Sequence, residues 1–407
     1  MVALTTEAER PIATLRDRRT GEVEQLRPDW VVGADGAHST VRDALGIAMT
    51  GPTDVSHNVN ILFEADLAAH LTDRLSAVYT VQRPELHGTF LAVDSDRRWL
   101  FNLVVDGGPP ADLDNRAAAD LIRSAAGLAD LHLTIVAQQV WRAAARIADR
   151  FQAGRVLLAG DAAHVTTPYG GFGLNCGIAD ADNLAWKLAA VYHGRAWPAL
   201  LDTYAAERRP VAELSVAESH TRLVDAMAAH RTGAAPTARP SEGLVLGYHY
   251  TSAAVIADSS PAPPGDPVAD YEPVGRPGHR LPHLWLGQPQ RTSTLDLLDP
   301  LELTVLAGRD ADWCPAWPVT RRIGTADLPD PDDAFLDLCG IGPNGAVLVR
   351  PDGHIAWRAP ARPADGADAL VDAAGRILSA TPSARPTSPA RNVPPGGNRD
   401  HPADDRI

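Results

Sequence analysis

Lysine is almost missing from this chain. Of its 37 basic residues only Lys187 is a lysine, and the others are arginine. The basic residues are outnumbered by 51 acidic ones, leaving a formal net charge of −14. Such a balance excludes a general affinity for nucleic acid or anionic membranes, both of which reward basic charge. Cysteine is scarce as well. Cys176, Cys314 and Cys339 are too few and too scattered for a disulfide framework, so reduced, buried thiols are expected, as in the cytoplasm. No stretch approaches the roughly 18 uninterrupted apolar residues of a membrane-spanning helix. The opening residues show no basic stretch followed by an apolar run, so no signal peptide is expected. No metal-ligand spacing, Ser–His–Asp arrangement or internal repeat stands out.

What remains is an ordinary globular composition, with 45% apolar and 22% charged residues. The 407 residues suffice for two or three domains with sizeable cores. Residues 11–33 read as two strands joined by the polar turn Arg18-Arg19-Thr20-Gly21, with Asp29-Trp30-Val31-Val32-Gly33 as a short buried strand. A helix starts at Ser39, a capping residue type, and stops at Gly46. Short alternating stretches from 54 to 110, such as Arg98-Trp99-Leu100-Phe101-Asn102-Leu103-Val104-Val105, predict an antiparallel sheet. A short helix is expected over Ala117–Ala126, and a further helix over roughly 198–230.

Val156-Leu157-Leu158-Ala159 reads as a buried strand, followed by a Gly-rich loop and a long helix. In that helix Leu174, Ile178, Ala181, Leu184, Ala185, Leu188 and Val191 recur at spacings of three and four, which predicts one apolar face before Gly194. The intervening run, Gly160-Asp161-Ala162-Ala163-His164 and then Pro168-Tyr169-Gly170-Gly171-Phe172-Gly173-Leu174-Asn175, carries the chemistry. A strand delivers Asp161 to its carboxyl end, where ligands collect in α/β sheets. A carboxylate there accepts hydrogen bonds from sugar-like hydroxyls. Gly170, Gly171 and Gly173 let the backbone approach a flat ligand. The helix beginning near Leu174 turns its free N–H groups and positive dipole end toward the loop, which favours an anion or a polarised carbonyl.

This run resembles the Gly-Asp motif of the single-component FAD-dependent aromatic hydroxylases, a family that includes phenol and bacterial polyketide hydroxylases. The resemblance implies that Gly160 and Asp161 contact the ribityl chain of FAD. It implies that the backbone from Gly171 through Phe172, Gly173 and Leu174 to Asn175 faces the pyrimidine edge of the flavin, with Gly170 also in the cofactor-binding set and Pro168 near the ring where oxygen reacts. Val31-Val32-Gly33-Ala34-Asp35-Gly36-Ala37-His38-Ser39-Thr40-Val41-Arg42 is similar to the family's Asp-Gly motif, in which Asp35 and Arg42 would organise the pyrophosphate region and the use of NAD(P)H. Segments from His283 to Arg358 resemble the family's thioredoxin-like C-terminal domain. There Trp313-Cys314-Pro315-Ala316-Trp317 lacks a second cysteine, so no dithiol chemistry is expected and the domain reads as structural.

The implied fold is α/β of the mixed α+β kind. An incomplete Rossmann-like FAD-binding domain, 1–53 and 141–256, would enclose an antiparallel-sheet substrate domain, 54–140. A linker, 257–282, a thioredoxin-like domain, 283–378, and a disordered tail, 379–407, would follow. The family's opening strand–Gly-x-Gly-x-x-Gly–helix unit, which binds the ADP half of FAD, has no counterpart in this sequence. The chain alone is therefore expected to be colourless or unstable. The implied activity is hydroxylation of an aromatic or polyketide substrate, with FAD reduced by NAD(P)H and O₂ added at flavin C4a as a hydroperoxide. A homodimer is the implied assembly. Pro168 and His164 are the candidates for a catalytic part, though a loop-bracing bond is the plainer reading of His164. His38 reads as solvent-facing, Cys176 as a small packing residue, and Arg142 and Arg146 as surface charges. The other reading is a catalytically inactive flavoprotein remnant that serves as a binding or assembly module.

Overall fold

The computed structural model describes residues 1–378, apart from 7–9, 72–75, 84–85, 95–96, 106–112, 235–236, 238, 288–290 and 314–316. Cys314 and the expected tail, 379–407, lie outside the described residues. The helices are α1 (Thr40–Ala44), α2 (Asn115–Ala126), α3 (Phe172–Tyr192), α4 (Asp202–Thr232), α5 (Glu242–Leu246), α6 (Ala334–Cys339) and α7 (Ala367–Ile377). The fold is mixed α/β, with one parallel strand pair at its functional centre.

Val31–Gly33 runs parallel to Val156–Leu158, with Gly33 opposite Leu158. Val156, Leu157 and Leu158 are buried on both faces, which is why this strand is a continuous apolar run rather than an alternating one. Ahead of it, Ala3–Thr5, Ile12–Arg16 and Val23–Leu26 form a separate antiparallel sheet, one strand more than the sequence indicates.

The largest sheet has five antiparallel strands in the order Leu133–Ala143, Ser56–Ala65, Arg98–Val105, Leu86–Ala92, Val78–Arg83. One of its faces packs against α2. Val59, Ile61, Phe63, Phe90 and Phe101 pack on Ala118 and Ile122 of α2. Side chains alternate across a strand, so the opposite face carries the cross-strand row Thr89, Asn102, Asn60 and Gln139. Asn102 donates to the Asn60 side chain at 2.8 Å. That same face also carries Leu62, Leu91, Leu100 and Val104 beside the polar row, so it is mixed apolar and polar.

The long helix is also corrected. Leu174 and Ile178 are 76% and 58% exposed, and Ala181 and Ala185 are exposed as well. The buried side of α3 is instead Phe172, Cys176, Asp180, Asn183, Leu184, Trp186, Lys187 and Ala190, of which Asp180, Asn183 and Lys187 are polar. Apolar spacing was misleading because buried ionic partners, not apolar ones, await those polar residues.

The C-terminal sheet has the order Val319–Arg322, Thr304–Ala307, Ala346–Val349, Ile355–Ala359. Along Ala346–Val349 the side chains alternate between two cores. Ala346 and Leu348 meet Leu370, Ala374 and Ile377 of α7, while Val347 and Val349 meet Phe335 and Leu336 of α6. The α7-side core also takes in Trp186, Ala190 and Leu200, so this sheet packs directly on α3 and the turn after it. The stretch read as a linker is not free. Gly275, Gly278 and Leu281 donate backbone bonds to Leu338, Ile355 and Gly353 at 2.7–2.8 Å.

Candidate functional site

Two loops leave the carboxyl ends of the paired strands Val31–Gly33 and Val156–Leu158, and the backbone bond from Ala159 to Gly33 at 3.0 Å keeps them side by side. Ligands gather at this end of an open α/β sheet.

In the first loop, Asp35 caps α1. Its carboxylate accepts from Ser39 Oγ, from Thr40 Oγ1 at 2.9 Å and from the Val41 N–H at 3.1 Å. Burial opposes its ionisation, but these bonds outweigh burial and hold the carboxyl below its ordinary range. Ser39 completes the cap by accepting from the Arg42 N–H at 2.9 Å. Arg42 is buried, and its guanidinium leaves α1: Nη1 donates to the carbonyls of Ala37 at 3.0 Å and Ala162 at 3.3 Å. The two motifs are thus joined by one side chain. His38 is exposed.

In the second loop, Gly160 adopts φ 58° and the turn presents Asp161 to solvent. The Asp161 carboxylate forms no bond to any described residue. Pro168, Gly170 and Gly171 are exposed on the way to α3. Gly171 is the N-cap with φ 66° and offers no side chain to the helix, so the first N–H groups of α3 remain uncapped donors. The Asn175 side chain returns to the Gly171 carbonyl at 2.9 Å and steadies that turn.

Behind the loops lies a buried ionic layer whose partners the sequence did not reveal. Asp180 on α3 accepts from the Gly160 N–H at 3.0 Å and from His164 Nε2 at 2.6 Å, while Arg208 Nε on α4 reaches its other oxygen at 2.8 Å. His164, Asp180 and Arg208 have no exposed side-chain surface. Burial disfavours the His164 imidazolium, but the Asp180 carboxylate outweighs it and raises the pKa to about 10. His164 therefore stands behind the loop and braces it. Donor atoms of His164, Cys176 and Asp180 lie within 4.8 Å of one another, the spacing of a metal site. Arg208 does not suit a metal there, because its guanidinium also lies 3.3 Å from Cys176 Sγ and would repel a cation.

A second buried cluster follows one turn further along α3. Glu207 of α4 takes Lys187 Nζ at 2.7 Å and, in two-pronged fashion, Arg350 Nη1 at 2.6 Å and Nη2 at 2.8 Å. Arg350 also pairs with Asp352, which accepts from Trp186 Nε1 at 3.1 Å and Asn183 Nδ2 at 3.2 Å. Burial pushes the Lys187 ammonium down to about 8, against the pull of Glu207. The chain's single lysine is thus an internal ion-pair partner. Of the two arginines read as surface charges, Arg142 is exposed, whereas Arg146 is half-buried and bonded to the Met49 carbonyl at 3.0 Å.

Loops at the carboxyl ends of parallel strands, one of them running into an uncapped helix N-terminus, are the architecture of a cofactor-binding α/β protein. Residues 1–219 match the family described as FAD binding domain, and residues 274–381 match aromatic-ring hydroxylase, C-terminal. A putative polyketide hydroxylase of Streptomyces halstedii is 42% identical, over 85% of this chain and 67% of that protein. A crystal structure of the flavin-dependent monooxygenase PieE with FAD and substrate superposes with a TM-score of 0.82 at 31% identity, covering 93% of this chain and 75% of that one. A ternary complex of aklavinone-11 hydroxylase with FAD and aklavinone gives 0.81 at 36% identity, covering 93% and 73%. The chain belongs to the family of FAD-dependent aromatic-ring hydroxylases. Among the described residues no helix is long and apolar enough to cross a membrane.

The site's residues fit the ring-and-ribityl side of FAD. An exposed carboxylate without a partner among the described residues, uncapped helix N–H groups and a glycine-lined approach are the donor and acceptor set that such a group requires.

Proposed function

We propose that this chain is an NAD(P)H-dependent monooxygenase of an oxygenated aromatic, in the chemical class of a polyketide. The reading is carried by the exposed Asp161 carboxylate, in a strand-end turn that packs on α3, a helix whose N-terminus has no side-chain cap. FAD, when bound, supplies the electron transfer from NAD(P)H and the activation of O₂. Asp161 accepts hydrogen bonds from the ribityl hydroxyls, with Gly160 giving the turn its reach. The backbone from Gly170 through Phe172, Gly173 and Leu174 to Asn175 directs N–H groups and the helix dipole at the pyrimidine edge, stabilising negative charge there. Pro168 walls the ring. Asp35 and Arg42 hold the loop on the pyrophosphate side. His164 acts behind the loop rather than on substrate.

The five-stranded sheet bears on the substrate. Its row of Thr89, Asn102, Asn60 and Gln139 offers hydroxyl and amide partners to phenolic and carbonyl oxygens, which a bare hydrocarbon ring would leave unpaired. The sequence similarity to a named polyketide hydroxylase supports the same class. The protein works in the cytoplasm as a homodimer. The test is NAD(P)H consumption and product analysis, with a panel of simple phenols and polycyclic quinones, by the chain completed with the family's Gly-x-Gly-x-x-Gly unit. Stimulation by the oxygenated polycyclic compounds, with one oxygen atom added to the product, is the expected result. If no aromatic compound is hydroxylated, the proposal fails.

A further inference from the structure

If FAD lies between the Gly160–Asp161 turn and the start of α3, the two walls of the site must keep a fixed separation. The first turn of α3 is one wall, and residues further along the same helix hold the other. A Cβ added at Gly177 would stand 3.4 Å from the Gly160 Cα, so helix and turn touch there. Three residues on, and therefore on the same helix face, Asp180 accepts from the Gly160 N–H at 3.0 Å. Its carboxylate cannot drift. Arg208 Nε holds one oxygen at 2.8 Å and His164 Nε2 the other at 2.6 Å, and none of the three side chains is exposed. Arg208 is anchored in turn, donating to the Cys176 carbonyl and to the Tyr250 hydroxyl, each at 3.2 Å.

We propose that Asp180 is a positioning residue for FAD: through the Gly160 N–H it sets where the Asp161 carboxylate stands relative to the α3 N-terminus, with Arg208 and His164 orienting it. This inference rests on the FAD reading given above. Asp180 itself touches no ligand. A carboxylate that only neutralised Arg208 would tolerate an added methylene, whereas one that places Gly160 would not.

The test uses the full chain and three forms: wild type, Asp180→Asn and Asp180→Glu. Each is titrated with FAD and, separately, with riboflavin, which lacks the ADP half. Fluorescence quenching gives the Kd, and visible circular dichroism reports the surroundings of the bound ring. Asp180→Glu retains the charge for Arg208 and so guards against simple failure to fold. Both variants are expected to raise the Kd for both flavins about tenfold, the loss of one charge-assisted hydrogen bond, and to alter the visible dichroism. Wild-type Kd values and spectra in both variants would overturn the inference while leaving the FAD reading intact. A loss for FAD alone, with riboflavin unaffected, would also overturn it, because the effect would then lie at the ADP half. Although expected to be colourless as purified, the wild-type chain should still bind added flavin through the ring-and-ribityl side; if it binds neither flavin, the FAD reading falls and this inference falls with it.

Discussion

Arg42 and Ala162, 120 residues apart, are joined by a 3.3 Å hydrogen bond from the arginine Nη1 to the alanine carbonyl. The same nitrogen holds the Ala37 carbonyl at 3.0 Å, so one guanidinium spans both loops of the site. Arg42→Ala is expected to weaken FAD binding by about tenfold, the order of one lost charge-assisted bond. Arg42→Lys should restore little of it, because an ammonium lacks the planar fork. Flavin titration of both variants checks this, and full affinity in Arg42→Lys would contradict the bridging role.

Asp161 should behave in the opposite way to the buried acids. It is exposed and forms no bond to a described residue, so Asp161→Ala should change folding stability by no more than about 0.5 kcal/mol. FAD affinity should nevertheless fall. Urea denaturation and flavin titration of the same preparation separate the two effects, and an unaltered Kd would remove Asp161 from the site.

The Glu207–Arg350 pair makes a prediction about stability. Neither side chain is exposed. Arg350→Met leaves Glu207 with Lys187 but strips Asp352 of its guanidinium partner, and should cost roughly 3–5 kcal/mol in urea denaturation. Adding Asp352→Asn to Arg350→Met should recover part of that loss by removing the buried carboxylate left without its guanidinium; additive losses would show that Arg350 and Asp352 do not act as a pair.

Two histidines give stability opposite pH dependences. His279 has its pKa lowered to about 4 by burial, with His249, Arg276 and His354 adding repulsion. Its ordinary value is 6.5, so the unfolded chain takes up the proton first, and stability is lost as pH falls from there toward 4. His164 is the reverse. Its contribution is complete below 6.5 and is lost as pH rises through about 10. Denaturation midpoints should therefore be highest near neutrality. His279→Gln should flatten the acid limb and His164→Gln the alkaline limb, and a variant that leaves its limb unchanged refutes that assignment.

Local structure was legible where the signal is local. Ser39 caps α1 as expected, the strand before Gly160 is buried, and the two loops lie together, because a β–turn–α unit declares itself in a few adjacent residues. The motifs also led to the right family. The buried side of α3 was not legible. Leu174 and Ile178 read as part of an apolar face and are exposed, whereas Asp180, Asn183 and Lys187, outside the predicted face, are buried. Their partners Glu207, Arg208, Arg350 and Asp352 lie 20 to 169 residues away, and spacing within one helix carries no information about them. A single lysine in a chain otherwise furnished with arginine was the available hint. The polar row of the five-stranded sheet was hidden for a related reason: alternation shows two faces but not which one α2 will cover.

The two matched segments, 1–219 and 274–381, suggest that the C-terminal part could be exchanged as a unit. The buried charges cross that division. Arg350 and Asp352 belong to the second segment, and Asn183, Trp186 and Glu207 belong to the first. A chimera that takes its C-terminal part from a relative would thus import one half of an electrically balanced interior. It would remain balanced only if the residues at 183, 187 and 207 were chosen to match the graft. For anyone recombining such hydroxylases to change their substrate, the unit of inheritance is this set of mutually neutralising side chains, and a cut anywhere in the intervening 220–273 divides it.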